Sequence, residues 1–347
     1  MRKTLFLIML SLVLGSMFTA CSTDVDLYAD YKNITVVYGL LDCNQDTNFI
    51  KINKAFLGPG NALDIALIAD SCEYPGKLDA KIIEYRSSIN QNNYQITNTY
   101  PLDTITIHTK EPGIFYAPDQ KVYFTTERIK KNTDHFKYKY ELQIDRGDTI
   151  LTAETTIVGS DYFSVQDRSF TIVGSKGKII WYECPNAAIY DVMVKFYFTE
   201  VGPGYRKEKC LLWPMGTFTG TESMLSYENG VFTLNYETSD FYNKLADFLG
   251  KDTLNADGTI NTDVDRLVAD RCVSISVSVG GEELYQFISA NSPSSSIVQN
   301  IPEYTNINGG YGVFSSRVKV EQMVRLNRIS ELTNRENWRF RQGKEDY

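Results

Sequence analysis

The chain has 347 residues, of which 43% are apolar and 22% charged, and its formal net charge is -8. This is the composition of an ordinary globular protein, and it excludes a disordered, collagenous or coiled-coil chain. The negative charge argues against a protein that coats nucleic acid, and 2 histidines are a poor supply for acid–base chemistry near neutral pH.

Residues 1–20 have the pattern of a secretory signal peptide. A basic start is followed by an apolar run from Leu5 to Met17, which is shorter than the ~20 residues of a membrane-spanning helix. The run ends in Phe18-Thr19-Ala20-Cys21, which fits a lipoprotein box except that Leu is usual in place of Phe18. The sequence predicts cleavage before Cys21, lipid attachment to Cys21, and a tether over residues 21–32. An ordinary secretion signal with a chance cysteine is the alternative.

The residues after the predicted lipid site bear on the location of the protein. Ser22-Thr23-Asp24-Val25-Asp26 carries two acidic residues close to the lipid-bearing cysteine. Such residues resemble the surface-export tag of Gram-negative bacteria of the Bacteroidetes type, although the two aspartates here are not adjacent. We therefore expect a lipid anchor in the outer membrane and display on the cell surface, with the inner leaflet as the alternative.

Residues 33–158 are predicted to form an N-terminal immunoglobulin-like β domain. Strands are predicted over 33–41 and 48–56, and a short helix or lid over 62–69. Alternating runs at 138–144 and 149–157 surround Asp145-Arg146-Gly147-Asp148 and predict a hairpin.

Residues 159–316 are predicted to form a C-terminal β domain with an inserted helix. Strands at 178–181 and 188–198 resemble, at the level of fold, the tryptophan-bearing strand of fibronectin type III domains and the strand after it. Apolar residues at helical spacing before Gly250 predict the helix over 239–250, and valine and serine alternate over 273–279 as in a strand. The predicted fold class is mostly β, with two β-sandwich domains and a few short helices.

Residues 317–347 form a predicted basic C-terminal tail, with eight basic and five acidic residues. Val320, Met323, Val324 and Leu332 are spaced to line one face of a helix, which would make the tail a docking element. A solvated, partly ordered end is the alternative.

A loop at 253–265 resembles a calcium loop of the EF-hand or dockerin kind. Thr253 and Val264 occupy its first and last ligand positions, where calcium loops place carboxylates. A polar turn without metal is therefore the simpler interpretation, and we expect no cofactor, with calcium as the alternative. The candidate ligands are Asn255, Asp257, Asn261 and Asp263.

Five cysteines remain besides Cys21, and none has the spacing of a zinc or thioredoxin-like motif. Cys184 and Cys210 flank a predicted hairpin and form a candidate disulfide. Buried free thiols are the alternative.

The sequence has no nucleophile elbow, P-loop, HExxH or dinucleotide-binding motif, and we expect no enzymatic activity. A catalytic carboxylate pair cannot be recognised among 43 acidic residues. The 23 tyrosines suit either an exposed platform for sugars or the half-buried faces of sheets.

The run from Tyr304 to Ser316 contains Asn-Ile-Asn-Gly-Gly-Tyr-Gly-Val-Phe. Together with the lipobox and the early strand Val36-Val37-Tyr38-Gly39-Leu40, it resembles a large uncharacterised family of Bacteroidetes outer-membrane lipoproteins. The glycines suit a tight crossing of the chain, so the run indicates structure rather than an active site. The resemblance implies an envelope lipoprotein, often encoded with outer-membrane transporters. We expect a non-catalytic binding or accessory component of an outer-membrane transport complex. The alternatives are a surface module for carbohydrate binding or adhesion and, third, a hydrolase.

Overall fold

A computed structural model describes residues 32–57, 61–220, 224–253, 258–259, 261–292 and 303–343. Strands predominate, and within these ranges the α-helices are five and short. The mostly β fold class predicted from the sequence is confirmed.

The strands are numbered in chain order. They are β1 (Lys32–Asp42), β2 (Asn48–Leu57), β3 (Asp79–Ser88), β4 (Gln95–Pro101), β5 (Asp103–Ile107), β6 (Gln120–Thr125), β7 (Phe136–Asp145), β8 (Ile150–Thr156), β9 (Ser169–Thr171), β10 (Lys176–Tyr182), β11 (Ile189–Gly202), β12 (Tyr205–Phe218), β13 (Leu225–Glu228), β14 (Val231–Glu237), β15 (Asp265–Val268), β16 (Arg271–Gly280), β17 (Tyr311–Asn327) and β18 (Phe340–Gln342). The helices are α1 (Ala62–Ala66), α2 (Ala69–Cys72), α3 (Thr238–Leu249), α4 (Glu282–Asn291) and α5 (Ser330–Thr333), and single 3-10 turns span Gly250–Thr253 and Glu336–Trp338.

An 11-stranded sheet runs through the whole fold in the order β18-β15-β11-β16-β17-β1-β2-β6-β5, with β12 paired to β11 and β9 paired to β17. At its centre β1 and β17 are parallel, and Val36 lies opposite Tyr311. The first described strand of the chain is therefore held beside one of the last.

Two smaller sheets complete the structure. A four-stranded sheet has the order β4-β3-β7-β8, and a three-stranded sheet has the order β10-β14-β13. Leu151 of β8 approaches the backbone of Gly310 just before β17, whereas Trp181 of β10 contacts the ring of Tyr190 on β11. Each small sheet thus contacts a different part of the large sheet, and residues of all three form one continuous apolar core.

The elements follow from local sequence patterns where those patterns are strong. In β16 the side chains of Val273, Ile275 and Val277 are fully buried, as expected for a β-branched strand in the middle of a sheet. In α3 the apolar side chains of Phe241 and Leu245 lie at helical spacing and are also fully buried. The predicted hairpin is confirmed as β7 and β8, and the predicted lid corresponds to α1 and α2.

The predicted boundary at residue 158 does not divide the sheets, because strands from both sides of it share the large sheet. The helix expected across Val320 to Leu332 is wrong. Residues up to Asn327 continue β17, which pairs with both β1 and β16. Valines alternate with charged residues there, and this two-residue period outweighs the weaker helical spacing.

The end of the chain packs onto the large sheet rather than forming a separate tail. Strand β18 pairs in parallel with β15. The buried guanidinium of Arg266 lies 3.1 Å from a carboxylate oxygen of Glu200 and donates to the carbonyl of Trp338 at 3.0 Å. This buried ion pair connects the C-terminal segment to β11 and β15.

Candidate functional site

One cavity among the described residues is a groove of about 540 Å³ between helix α4 and one end of the large sheet. Leu284 and Ile288 of α4 form one wall, and residues of β1, β11, β12, β16 and β17, with Gln45 from the turn between β1 and β2, form the rest. We call it the α4 groove. Its other lining residues are Leu40, Asp42, Gln45, Ile189, Asp191, Thr217, Ser278, Val279, Gly280, Arg317, Val318 and Lys319.

A second cavity of about 440 Å³ shares Leu40, Asp42, Gln45 and Arg317 with the α4 groove and extends it along β1 and β2. Tyr38 and Phe49, each about half exposed, line this extension. The ring of Tyr38 makes an edge contact with Phe287 of α4, with centroids 5.9 Å apart. The two cavities together form an elongated depression with aromatic rings at one end.

Asp42 is the buried charge of this depression. Its carboxylate accepts a hydrogen bond from the backbone N–H of Asn44 at 2.9 Å, and its own N–H donates to Asn48 at 2.7 Å. Burial raises the pKa of Asp42, while the Asn44 hydrogen bond and the positive charge of Arg317 oppose the rise. A cationic or hydrogen-bonding ligand group beside Asp42 would favour its charged form.

Helix α4 is fixed over the sheet by hydrogen bonds at its first turn. The Glu283 carboxylate accepts from the hydroxyls of Ser315 at 2.9 Å and Thr155 at 3.0 Å. The N–H of Gly281 donates to the carbonyl of Ser316 at 2.9 Å. These contacts join β8, α4 and β17, so the groove wall is held from two sheets.

The glycine run lies next to this junction and has the structural role that the sequence indicates. Gly312 has φ +109°, and a Cβ there would lie 2.0 Å from the carbonyl oxygen of Val37 on β1. A Cβ on Gly310 would lie 2.8 Å from the carbonyl oxygen of Thr35. The side chain of Asn306 pairs with both backbone groups of Phe314, at 2.7 and 2.9 Å. The run therefore allows β17 to approach β1 closely.

A second polar cluster, the Glu84 cluster, surrounds a carboxylate that is closed to solvent, while the side chain of Lys130 at its edge is 45% exposed. Glu84 of β3 is fully buried, and its two oxygens accept five hydrogen bonds of 2.7 to 3.1 Å. A carboxylate with this many donors is a structural group, because no oxygen is left for a substrate. The donors are Thr97, Asn98, Tyr100, Lys130 and Tyr140.

The carboxylate pair that a hydrolase would need is not assembled among the described acidic groups with a raised pKa. These are Asp42 and Asp167. Asp42 ends β1 in the large sheet, whereas Asp167 accepts from the N–H of Ile180 on β10 at 2.7 Å. They belong to different parts of the fold.

Of the candidate calcium ligands, Asn255 and Asp257 lie outside the described residues. Asn261 is half-buried, and its side-chain oxygen accepts from the N–H of Asp263 at 3.0 Å, as in a polar turn. The described residues hold no group of three or more His, Cys, Asp or Glu side chains placed to bind a metal ion.

The candidate disulfide between Cys184 and Cys210 is wrong, since both are free thiols. Cys184 is buried beside Tyr190, whereas Cys210 lies on β12 opposite Tyr197 of β11. Burial raises the pKa of the Cys184 thiol to about 12. The alternative of free thiols is the one observed.

Cys21, the predicted lipid site, lies outside the described residues. Within the part of the chain that the structure describes, no helix is both long and apolar enough to cross a membrane.

Sequence reasoning missed the α4 groove because its lining comes from six elements spread over most of the chain. One signal was present: Arg317, Val318, Lys319 and Val320 alternate in polarity, which is typical of a strand with one charged face.

No protein-family model matches the chain, and no curated protein matches it. Twenty-nine chains of solved structures match. One is described as the crystal structure of CBD12 from CALX1.2. It is 7% identical, with a TM-score of 0.15, and the match covers 83% of this chain and 99% of that chain. At this TM-score the likeness carries no argument about function.

Proposed function

We propose that the protein is a lipid-anchored, non-catalytic binding component of the cell envelope. In this proposal Cys21 carries the lipid, the anchor is in the outer membrane, and the folded part is displayed at the cell surface. Its role is that of an accessory subunit of an outer-membrane transport complex. The N-terminal signal pattern and the resemblance of the glycine run to outer-membrane lipoproteins support the anchor and the location.

The α4 groove is the observation that carries the binding role. Its volume of about 540 Å³ lies within the range of ligand sites, which runs from roughly 300 to 1,000 Å³. Leu284, Ile288 and Val318 offer apolar contact, while Arg317 and Asp42 supply opposite charges at the place where the two cavities meet. An extended segment of a partner protein with an apolar side chain, an acidic group for Arg317 and a hydrogen-bond donor for Asp42 would complement this arrangement.

The test is a gentle-detergent purification of the tagged, lipidated protein from its native cells, with co-purifying proteins identified by mass spectrometry. We expect an outer-membrane transporter in stoichiometric amount. Ile288→Arg would place a cation inside the groove and reduce the recovery of the partner by about tenfold, as for an interface hot spot. Ile150→Arg, at an exposed position of β8, is the matched control and leaves recovery unchanged.

Recovery of the protein alone would contradict the accessory role. Equal recovery by Ile288→Arg and by the control would show that the partner binds elsewhere. Both results can be interpreted without knowing the identity of the partner in advance.

A glycan ligand is the second candidate, and Tyr38 and Phe49 favour it. Their half-exposed rings at one end of the depression offer apolar faces on which a sugar ring can stack. The three tryptophans do not contribute, because Trp181, Trp213 and Trp338 are all buried. Binding to immobilised glycans that Tyr38→Ala abolishes would favour this function over the accessory one.

A further inference from the structure

An exposed apolar surface lies away from the α4 groove, around helices α1 and α2. Leu63, Leu67 and Ile68 belong to the helical segment, while Ile114 and Phe115 belong to the loop before β6. Each of the five side chains is more than half exposed. We call these five residues the apolar rim. Soluble surfaces seldom gather so many large aliphatic and aromatic side chains without a binding role.

The apolar rim is a built surface, because hydrogen bonds hold its two segments together. The N–H of Tyr116 donates to the carbonyl of Ala66 at 2.8 Å, which joins the loop to the end of α1. The ammonium group of Lys110 donates to the carbonyl of Tyr116 at 2.5 Å and lies 5.8 Å from the centroid of the Phe115 ring. The side chain of Asn61 accepts from the N–H of Leu63 and begins α1.

The apolar rim is close to the point where the chain enters the fold. Strand β1 begins at Lys32, which lies opposite Leu57 at the end of β2. Only residues 58–60 separate Leu57 from Asn61, a reach of at most about 14 Å. Residues 22–31 lie between the predicted lipid site and β1, so the chain from Cys21 to Lys32 reaches at most about 40 Å when fully extended. A bilayer that holds the lipid on Cys21 is therefore within reach of the rim.

The charges around the rim indicate which part of a bilayer it contacts. Asp64, Asp70 and Glu111 are exposed beside it, and Lys110 is the cation next to the Phe115 ring. A local acidic excess does not favour anionic headgroups. The aliphatic and aromatic side chains suit the boundary between headgroups and acyl chains, where a lysine stem can extend back to the headgroups.

We propose that the apolar rim is a membrane-contact surface that inserts into the bilayer carrying the lipid anchor. This inference rests on the proposed anchoring at Cys21. Lipid and rim then form two attachment points, which fix the orientation of the protein on the membrane and set the direction in which the α4 groove faces.

The experiment uses the full, acylated chain in phosphatidylcholine vesicles, with and without brominated acyl chains that quench tryptophan. The native tryptophans are buried, so Phe115→Trp places a reporter on the rim. Leu212→Trp is the matched control, because Leu212 is equally exposed but lies on β12, separated from β2 by β11, β16, β17 and β1. We expect brominated lipid to reduce the added emission at least about twofold for Phe115→Trp and to leave Leu212→Trp unchanged. Ile114→Trp is a second reporter should Phe115→Trp fold poorly.

Vesicle flotation and the intact mass are measured on the same samples and separate the two proposals. A chain that carries lipid and floats, yet shows no greater quenching at position 115 than at 212, overturns the membrane contact and leaves the anchor standing. A chain that carries no lipid and does not float overturns the anchor and, with it, this inference. Protection of the position 115 reporter by a co-purified protein instead of by lipid would make the rim a protein interface and also overturn the proposal.

Discussion

The Glu84 cluster and the apolar rim reverse the usual distribution of side chains in opposite ways. The first buries a carboxylate completely, whereas the second exposes five large apolar side chains. In the cluster every oxygen is matched by donors from β4, β7 and a neighbouring loop. On the rim the described structure provides no apolar surface that covers the side chains.

The two regions differ in whether the chain itself supplies the partners that their side chains need. A buried charge is tolerated only when it is fully hydrogen-bonded, and the Glu84 cluster satisfies that condition within the chain. Exposed apolar side chains contribute little to folding, so the folded state alone does not require them. The first region is therefore explained by stability, and the second calls for a surface that covers it.

The largest change in the free energy of unfolding is expected for a substitution in the Glu84 cluster. Glu84→Gln replaces one carboxylate oxygen with an NH₂ group, which cannot accept hydrogen bonds. Depending on the orientation of the amide, either the two tyrosine hydroxyls at Oε2 or the Thr97, Asn98 and Lys130 donors at Oε1 lose their acceptor. We expect the free energy of unfolding to fall by about 1.5–3 kcal/mol, the range for hydrogen bonds to a charged group. Urea unfolding followed by fluorescence measures it.

Glu154→Gln is the control for the loss of charge. Glu154 of β8 is exposed and pairs with Lys139 at 2.8 Å, and such a surface pair contributes at most about 1 kcal/mol. Equal effects of the two substitutions would mean that the Glu84 cluster adds nothing beyond a surface ion pair.

The large sheet shows which parts of the fold the sequence could reveal. The alternation over Val273–Val279 and the helical spacing of Phe241 and Leu245 are local, and both predictions are confirmed. The parallel pairing of β1 with β17 joins residues about 275 positions apart, and no local pattern encodes such a partner. The predicted domain boundary at 158 rests on local patterns alone, and such patterns do not reveal a sheet that crosses it.

The contribution of the Glu84 cluster to the free energy of unfolding is also expected to depend on pH. Burial alone would raise the pKa of Glu84, but hydrogen bonds from Thr97, Tyr100, Asn98 and Lys130 outweigh it and lower the pKa below its ordinary value of 4.5. The unfolded chain therefore takes up this proton first as the pH falls, so the stabilisation is complete above about pH 4.5 and is lost as the pH falls through the lowered value.

The measurement compares the wild type with Glu84→Gln between pH 7 and pH 3. The difference in free energy of unfolding is expected to stay constant down to about pH 4.5 and to shrink below it. A difference that grows as the pH falls would contradict the lowered pKa.

The candidate sites, like the elements of the fold, differ in how much of each one a local sequence pattern reveals. The glycine run was recognisable because Gly309, Gly310 and Gly312 stand close together and suit one tight crossing, although its partner, Val37, could not be read from it. The α4 groove gave no comparable signal, since Asp42, Ile288 and Arg317 become neighbours only when three distant elements pack. The Glu84 donors are likewise ordinary strand residues until the register of β3 and β4 aligns them.

The smallest effect is expected on the apolar rim. Leu67→Ser removes an exposed apolar side chain, and we expect a change of less than about 0.5 kcal/mol in the free energy of unfolding. Leu212→Ser has the same starting exposure and is expected to change it equally little. The two variants should differ only on vesicles: combined with the Phe115→Trp reporter, Leu67→Ser weakens quenching by brominated lipid, whereas Leu212→Ser does not. A loss of more than about 1 kcal/mol for Leu67→Ser alone would show that this side chain packs within the fold, and the rim would then be explained by stability, as the Glu84 cluster is.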